Sequence, residues 1–228
     1  ILDAATTWDG PIPGSGLVRC TIAGAPPPTR TIERTINELG WEFNQIYGLT
    51  ETAPLLTINR HRKEWDDLTV AERAPLLNRA GAPALGVTMK VDPSGEVLAR
   101  SNVVMEGYWE QPDQTAMAIR DGYFHTGDGG SIDESNYVII ADRKKDVIVT
   151  GGENVSSIEV EDAIFQHPDV TEVAVIGIPD DKWGELVTAL VVTAPGSTLT
   201  EDDVIAWAKT KLAGYKCPKK VEFRTELA

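Results

Sequence analysis

The stretch TRTIERTINELG, Thr29–Gly40, decides how the first part of this sequence folds. Its apolar residues Ile32, Ile36 and Leu39 have the three- and four-residue spacing that places side chains on one face of an α-helix. Gly40 follows the last apolar residue and is a natural helix stop. The pattern predicts one amphipathic helix that ends at Leu39.

Apolar and β-branched residues flank this helix at 17–22 and 41–46, and both segments are predicted to be strands. A strand–helix–strand order indicates an α/β layer. Thr69 and Glu72 have the spacing of a capping box, which predicts a further helix. We assign this layer to residues 1–85 and expect it to be partial, since two or three strands cannot make a doubly wound sheet.

From residue 86 onward the pattern changes to short β segments. The turn sequence DPSG at 92–95 separates two of them, which is typical of a hairpin. Pro112 begins one short predicted helix, because proline is favoured at the first helical position. We interpret 86–142 as a small β subdomain.

The remaining residues, 143–228, alternate in the order β-α-β-β-α-β, which predicts a compact α+β domain. Thr200 and Asp203 cap its second helix. The predicted fold class is therefore α/β and α+β, with a partial α/β layer, a β subdomain and a compact C-terminal domain.

Composition limits the function. Lys plus Arg is 21 and Asp plus Glu is 35, a net charge of −14, which argues against binding to nucleic acid. No apolar run approaches the ~20 residues of a membrane span, so we expect no integral membrane association. Cys20 and Cys217 are expected to be free thiols in a reducing cytoplasm. The histidines are scattered without ligand spacing, so no structural zinc site is expected.

Several segments carry groups suited to a nucleotide, but each alone is better explained as an ordinary turn or loop. Tyr47 could stack on a base, and the nearby Glu51 could hold Mg²⁺, which prefers oxygen ligands. Asp128 could accept hydrogen bonds from a ribose. Arg143 suits phosphate or ribose oxygens.

The segments taken together, and in order, are more specific than any one of them. They are AGAP (23–26), YGLTET (47–52), GEV (95–97), YFHTGD (123–128), DRKKD (142–146), GGENV (151–155) and GYKCP (214–218). With this series the chain resembles the C-terminal half of an adenylate-forming enzyme of the AMP-binding acyl-CoA synthetase family, most closely the fatty- and medium-chain acyl-CoA ligases.

The resemblance implies that ATP, Mg²⁺ and coenzyme A are used to convert a carboxylic acid, most simply a fatty acid, into its CoA thioester. It implies that the nucleotide is bound by Gly24, Ala25, Pro26, Tyr47, Gly48, Thr50, Asp128 and Arg143. Tyr47 would stack on adenine, Asp128 and Arg143 would hold the ribose, and Thr50 would contact phosphate.

Further roles follow from the same resemblance. Thr50 and Glu51 would be catalytic, with Glu51 as the Mg²⁺ ligand. Lys145 would be the hinge of a mobile C-terminal domain, 143–228, which moves relative to the part of the large domain formed by 1–142. Gly151 and Gly152 would border the coenzyme A channel.

The chain also departs from the family pattern. The family's phosphate loop would precede Ile1 and its catalytic lysine would follow Ala228, so we expect an inactive fragment of an active parent. Ser156 and Ser157 stand where the family often has an aromatic residue and a proline.

Two other functions remain open. One is an adenylation domain that loads a carrier protein, and the other is a non-catalytic nucleotide-binding module. A homodimer is the assembly that we consider for the parent protein.

The hinge assignment makes a prediction for the parent protein. Lys145→Pro should impair one half-reaction more than the other, because the proline ring fixes φ where a hinge must rotate. ATP–pyrophosphate exchange and thioester formation measure the two half-reactions separately. Equal loss of both, with the fold unchanged, would argue against a hinge at this position.

Overall fold

The structure is a computed structural model that describes residues 1–143 and 146–227. Contacts between residues divide the chain into two compact units, Ile1–Ile140 and Ala141–Ala228. Each unit is described by itself below.

The first unit contains a four-stranded sheet and most of a five-stranded sheet. In chain order its helices and strands are α1 (Leu2–Thr6), β1 (Arg19–Ile22), α2 (Thr29–Leu39), β2 (Glu42–Tyr47), β3 (Thr57–Arg60), α3 (Val70–Asn78), β4 (Ala82–Pro83), β5 (Thr88–Val91), β6 (Glu96–Arg100), α4 (Pro112–Ala118), β7 (Ile119–Arg120), β8 (Tyr123–Ile132) and β9 (Val138–Arg143). Two short 3₁₀ helices, Thr50–Thr52 and Lys63–Trp65, lie on either side of β3.

The four-stranded sheet has the order β1-β2-β3-β4. β1 and β2 are parallel, and helix α2 connects them, whereas the other two pairings are antiparallel. The predicted face of α2 is directed into a core in which Ile32 and Phe43 pack with Ala74 and Leu77 of α3. The sheet is therefore covered by helices whose apolar residues recur at helical spacing.

Buried amide and hydroxyl groups tie the end of α3 to the sheet. Asn59 is fully buried, and its Nδ2 donates to the carbonyl oxygens of Leu76 and Arg79, each at 2.8 Å. Thr57 Oγ1 donates to the carbonyl of Ala80 at 2.6 Å. The last carbonyls of a helix lack partners within the helix, so these bonds satisfy them and fix where α3 ends.

The five-stranded sheet has the order β5-β6-β8-β7, with β9 also paired to β8. Asp92 Oδ1 accepts the backbone N–H groups of Ser94 and Glu96, which closes the predicted turn between β5 and β6. This sheet delivers two of the polar residues discussed below, Glu96 on β6 and Asp128 on β8.

The second unit is built on a further five-stranded sheet. Its elements are β10 (Ile148–Thr150), β11 (Glu153–Val155), α5 (Ser157–Phe165), β12 (Val170–Asp180), β13 (Gly184–Thr193), α6 (Glu201–Lys209) and β14 (Lys220–Arg224). The strand order is β11-β10-β13-β12, and β14 pairs in parallel with β13. Val160 and Ile164 of α5 and Val204 of α6 pack on Val187 and Val191 of β13.

The predicted fold class, mixed α/β and α+β, is confirmed. The helix Thr29–Leu39, with Gly40 at φ 64°, and the capping boxes at Thr69 and Thr200 are as expected. Four strands in the described part of the chain were not predicted: Thr57–Arg60, Glu153–Val155 and the two-residue strands Ala82–Pro83 and Ile119–Arg120. Glu153–Val155 adds a strand to the expected β-α-β-β-α-β order.

Another difference concerns the last helix, which the sequence pattern predicts over 202–212. It ends at Lys209, three residues earlier than this prediction. Among the described residues, no helix has the length and apolar character needed to cross a bilayer.

Glu161 gives the second unit a testable pH dependence. Burial raises the pKa of this carboxyl, and Asp142 adds to the shift, while the hydrogen bond from the Val175 N–H opposes it. Because the folded pKa lies above the unfolded one, stability should fall as pH rises through the interval between them.

Glu161→Gln should remove this part of the pH slope, since glutamine still offers an acceptor to Val175 but does not ionise. Urea unfolding from pH 4 to 7 measures how the free energy of unfolding depends on pH, and hydrogen exchange of the α5 amides reports the local stability of the helix. Glu159→Gln is the matched control on the same helix, because Glu159 is exposed and pairs with Lys216. Equal slopes for wild type and Glu161→Gln would contradict the prediction.

Candidate functional site

The site is built at one edge of the four-stranded sheet. The parallel strands β1 and β2 run side by side, with Ile22 opposite Gln45. The AGAP segment, 23–26, follows β1 directly, and Tyr47 is the last residue of β2. Ligands in α/β proteins bind outside the carboxyl ends of such strands. The register therefore places two of the sequence motifs at the same edge.

A hydrogen bond from the end of α3 holds the bend that follows β1. Asn78, the last residue of α3, donates from Nδ2 to the carbonyl oxygen of Pro27 at 2.6 Å. Gly24, Ala25 and Pro26 lie in the irregular segment just before this anchor. The three residues that the resemblance assigns to nucleotide binding are therefore fixed at both ends, by β1 and by α3.

Tyr47 and Asp128 come together although they lie on different sheets. The Tyr47 hydroxyl donates to Oδ2 of Asp128 at 2.7 Å. The glycines on either side of Asp128 predict a turn at this position, but Asp128 lies within the long strand β8 and is only 7% exposed. A carboxylate so buried requires hydrogen-bond partners, and the tyrosine supplies one of them.

Gly48 is required by the packing of the segment that follows β2. A Cβ atom at this position would lie 1.6 Å from the carbonyl oxygen of Pro54, which is far closer than atoms can approach. The backbone is folded back here, with the N–H of Leu56 donating to the carbonyl of Tyr47 at 2.8 Å. This tight turn fixes the direction of the chain immediately after β2.

Thr50 and Glu51 begin the 3₁₀ helix that follows. Oε1 of Glu51 accepts the hydroxyl of Tyr108 at 2.9 Å, and its backbone carbonyl accepts the N–H of Met105 at 2.8 Å. Burial, together with the bond to Glu51, raises the pKa of the Tyr108 hydroxyl. The tyrosine thus keeps its proton and remains the donor. Thr50 is exposed.

Glu51 fits a magnesium ligand. Its side chain is half-buried, and among the described residues only Tyr108 donates to it, through one of its two oxygens. A partly exposed carboxylate oxygen suits Mg²⁺, which keeps several waters and binds few protein ligands.

The other predicted site residues belong to the second unit, which begins within β9 and includes residues 141–143 of that strand. Arg143 is exposed at the end of β9, and its N–H donates to Oδ1 of Asp142. Gly151 and Gly152 form the turn between β10 and β11, where the N–H of Gly151 donates to the carbonyl of Trp183 at 2.8 Å. Lys145, the predicted hinge, lies outside the described residues.

Sequence reasoning missed the residues that support the predicted ones. Tyr108 was given no role, although it contacts the predicted metal ligand. Glu96 and His125 lie inside two of the quoted motifs, but their meeting across β6 and β8 depends on strand register. His125 Nδ1 lies 3.3 Å from Oε2 of Glu96, and with Asp92 they form a group of potential metal ligands that lie within 4.8 Å of one another.

Comparison with known families matches both parts of the chain. The family described as AMP-binding enzyme matches residues 7–109. The AMP-binding enzyme C-terminal domain matches residues 159–228. Together they span most of the chain and include the site edge formed by β1 and β2.

Individual relatives agree with this assignment. The chain is 42% identical over 221 residues to a 4-hydroxybutyrate–CoA ligase from Metallosphaera sedula, covering 92% of this chain and 40% of the relative. It is 40% identical over 224 residues to a feruloyl-CoA synthase from an Amycolatopsis species, covering 93% of this chain and 43% of the relative.

A solved structure is similar as well. ATP-bound MatB from Rhodopseudomonas palustris superposes with a TM-score of 0.79 at 35% identity, covering 91% of this chain and 42% of that one. The chain thus spans less than half the length of each of these three proteins. On these matches and the motifs above, the chain belongs to the family of AMP-binding, adenylate-forming enzymes.

Proposed function

We propose that the protein is an AMP-forming acid–CoA ligase. The observation that carries the proposal is the hydrogen bond between Tyr47 and Asp128 at the edge where β1 and β2 end. It joins an aromatic ring suited to a base and a carboxylate suited to ribose hydroxyls. The names of the two relatives, a CoA ligase and a CoA synthase, support the same reaction class.

The chemistry requires activation because a carboxylate carries no good leaving group. A carboxylate oxygen attacks the α-phosphorus of ATP, the phosphoanhydride bond breaks, and pyrophosphate leaves. The thiol of coenzyme A then releases its proton to solvent, its sulfur attacks the acyl carbon, and AMP leaves with the electron pair of the broken acyl carbon–oxygen bond. One site that holds AMP throughout serves both steps.

In this proposal the residues of the first unit hold the nucleotide. Tyr47 stacks on adenine, and the backbone of Gly24, Ala25 and Pro26 lines the other side of the base. Asp128 accepts hydrogen bonds from the ribose hydroxyls. The small residues of the AGAP segment let a flat base approach the backbone closely.

The residues around the phosphates follow Tyr47 in the chain. Gly48 lets the backbone turn back, the Thr50 hydroxyl donates to a phosphate oxygen, and Glu51 holds Mg²⁺. When bound, the ion offsets the negative charge of the reacting phosphates. Tyr108 orients the Glu51 carboxylate by holding one of its oxygens.

The second unit supplies the remaining groups. Arg143 donates to the ribose, and Gly151 and Gly152 border the coenzyme A channel next to Trp183. In this proposal residues 1–142 belong to the large domain, and Lys145 is the hinge about which 143–228 moves between the two half-reactions.

The acid and the compartment are further parts of the proposal. The motif series favours a fatty acid, whereas the relatives are named for 4-hydroxybutyrate and ferulate. The assay therefore needs acids of all three kinds. Cys20 and Cys217 are both free thiols, which suits the reducing cytoplasm where we place the protein.

Thioester formation tests the proposed reaction. The protein as expressed from its gene should form acyl-CoA and AMP from ATP, Mg²⁺, coenzyme A and one of these acids, detected by mass spectrometry. Glu51→Gln should lower kcat/KM about 100-fold, because the metal loses a charged ligand. Glu64→Gln is the matched control, since this exposed glutamate pairs only with the neighbouring Arg62 among the described residues.

The outcomes separate the alternatives. If no acid gives an adenylate or a thioester, the ligase proposal is overturned. Adenylate that passes to a carrier protein but not to coenzyme A would favour the carrier-loading alternative.

Tyr47 makes a prediction about binding. Tyr47→Phe should lower the affinity for AMP about fivefold, because one hydrogen bond to Asp128 is lost while the ring remains. Tyr47→Ala should lower this affinity further, because the stacking of the ring on adenine is also lost. Calorimetry with AMP measures both, with Tyr123→Phe on β8 as the control. Unchanged AMP affinity in both Tyr47 variants would show that adenine binds elsewhere.

A further inference from the structure

The strand that carries Asp128 contains a β-bulge. Leu98 of β6 pairs with His125 of β8, but Glu96 pairs with Gly129. The partner strand advances by two residues while β8 advances by four. Gly127, at φ 76°, lies in this bulge. A bulge bends its strand and re-aims a side chain, and bulges are frequent next to active sites.

The side chain of Glu96 holds the bulge in place. Its Oε1 accepts the N–H of Gly127 at 2.9 Å, and its Oε2 faces Nδ1 of His125 at 3.3 Å. Glu96 is only 8% exposed. Burying a carboxylate to this extent costs free energy unless it is hydrogen-bonded. The contacts of Glu96 offset this cost.

Thr126 holds the other side of the bulge. Its Oγ1 donates to the carbonyl of Val97 at 2.6 Å and accepts the N–H of Asp128 at 3.1 Å. Glu96 and Thr126 therefore satisfy the backbone N–H groups of two successive residues, Gly127 and Asp128. Asp128, whose carboxylate accepts the Tyr47 hydroxyl, directly follows Gly127 in the bulge.

The same residues offer metal-ligand types, but their contacts favour hydrogen bonding. Oε1 of Glu96 accepts the N–H of Gly127, and Oε2 lies 3.3 Å from Nδ1 of His125, which donates in the tautomer protonated at that nitrogen. Oδ1 of Asp92 accepts backbone N–H groups of its own turn. The group is best explained as a polar support for the bulge.

We propose that Glu96 is a positioning residue for nucleotide binding: it fixes the bulge in β8 and so aims Asp128 at the ribose. The inference rests on the proposed function, because it assumes that Asp128 binds ribose hydroxyls. Glu96 itself does not contact the nucleotide. It acts through the N–H of Gly127 and the backbone of β8.

The test compares AMP with 2′,3′-dideoxy-AMP, which lacks the hydroxyls that Asp128 would bind. Calorimetry measures both ligands on the protein as expressed from its gene. Wild type should prefer AMP, and Glu96→Ala should reduce that preference about tenfold while the affinity for the dideoxy compound changes little. Glu96→Gln, which keeps an acceptor for Gly127, should restore most of the preference.

A double substitution tests whether Glu96 acts through Asp128. Glu96→Ala combined with Asp128→Asn should bind AMP within about twofold of Asp128→Asn alone, because both changes remove the same interaction. Asp133→Asn is the matched control. Asp133 accepts N–H groups of its own β8–β9 turn and pairs with Arg79 at 2.6 Å. These contacts do not involve Glu96, Gly127 or Asp128, so its substitution should leave the preference for AMP unchanged.

A measurement without ligand separates the two levels of the proposal. Hydrogen exchange of the Gly127 amide should be faster in Glu96→Ala than in wild type. If wild type does not distinguish the two nucleotides but this exchange still rises, the ribose role of Asp128 is wrong and the support of the bulge stands. If Glu96→Ala keeps the full preference for AMP, or if Gly127 exchanges as in wild type, the positioning role is overturned.

Discussion

The first unit depends on the hydrogen bond between Tyr47 and Asp128. It connects the end of the four-stranded sheet to the middle of the five-stranded sheet, across 81 residues of sequence. The bond restricts the tyrosine ring and orients the carboxylate at once. A nucleotide that meets both groups therefore finds them already placed, which lowers the entropy cost of binding.

The polar groups behind this bond are buried, whereas the proposed metal ligand is not. Asp128, Thr126 and Glu96 are all less than a tenth exposed, and each takes part in a chain of short contacts through the bulge of β8. Such a network is stable only when its members are satisfied, and it then holds one geometry. Glu51 is half-buried and held by Tyr108 alone among the described side chains, which leaves it accessible to an ion and phosphates.

Local signals predicted helices α2 to α6, whereas the short helix α1 was not predicted. The apolar spacing of Ile32, Ile36 and Leu39 with Gly40 behind them defined α2 at both ends. Strands whose partners are distant were harder to predict. Thr57–Arg60 was missed because it is stabilised by pairing with β2 and β4 rather than by its own composition.

The sequence by itself determined the order of the motifs, the family and most helix boundaries, because these depend on residue type and short-range spacing. It identified Tyr47, Glu51 and Asp128 as candidates but not the residues that support them. Only the tertiary structure brought Glu96 to Gly127 and Tyr108 to Glu51. Such contacts depend on strand pairing and on the packing of segments that are distant in sequence. A shift of one residue in the register of a strand would turn each of its side chains to the opposite face of the sheet.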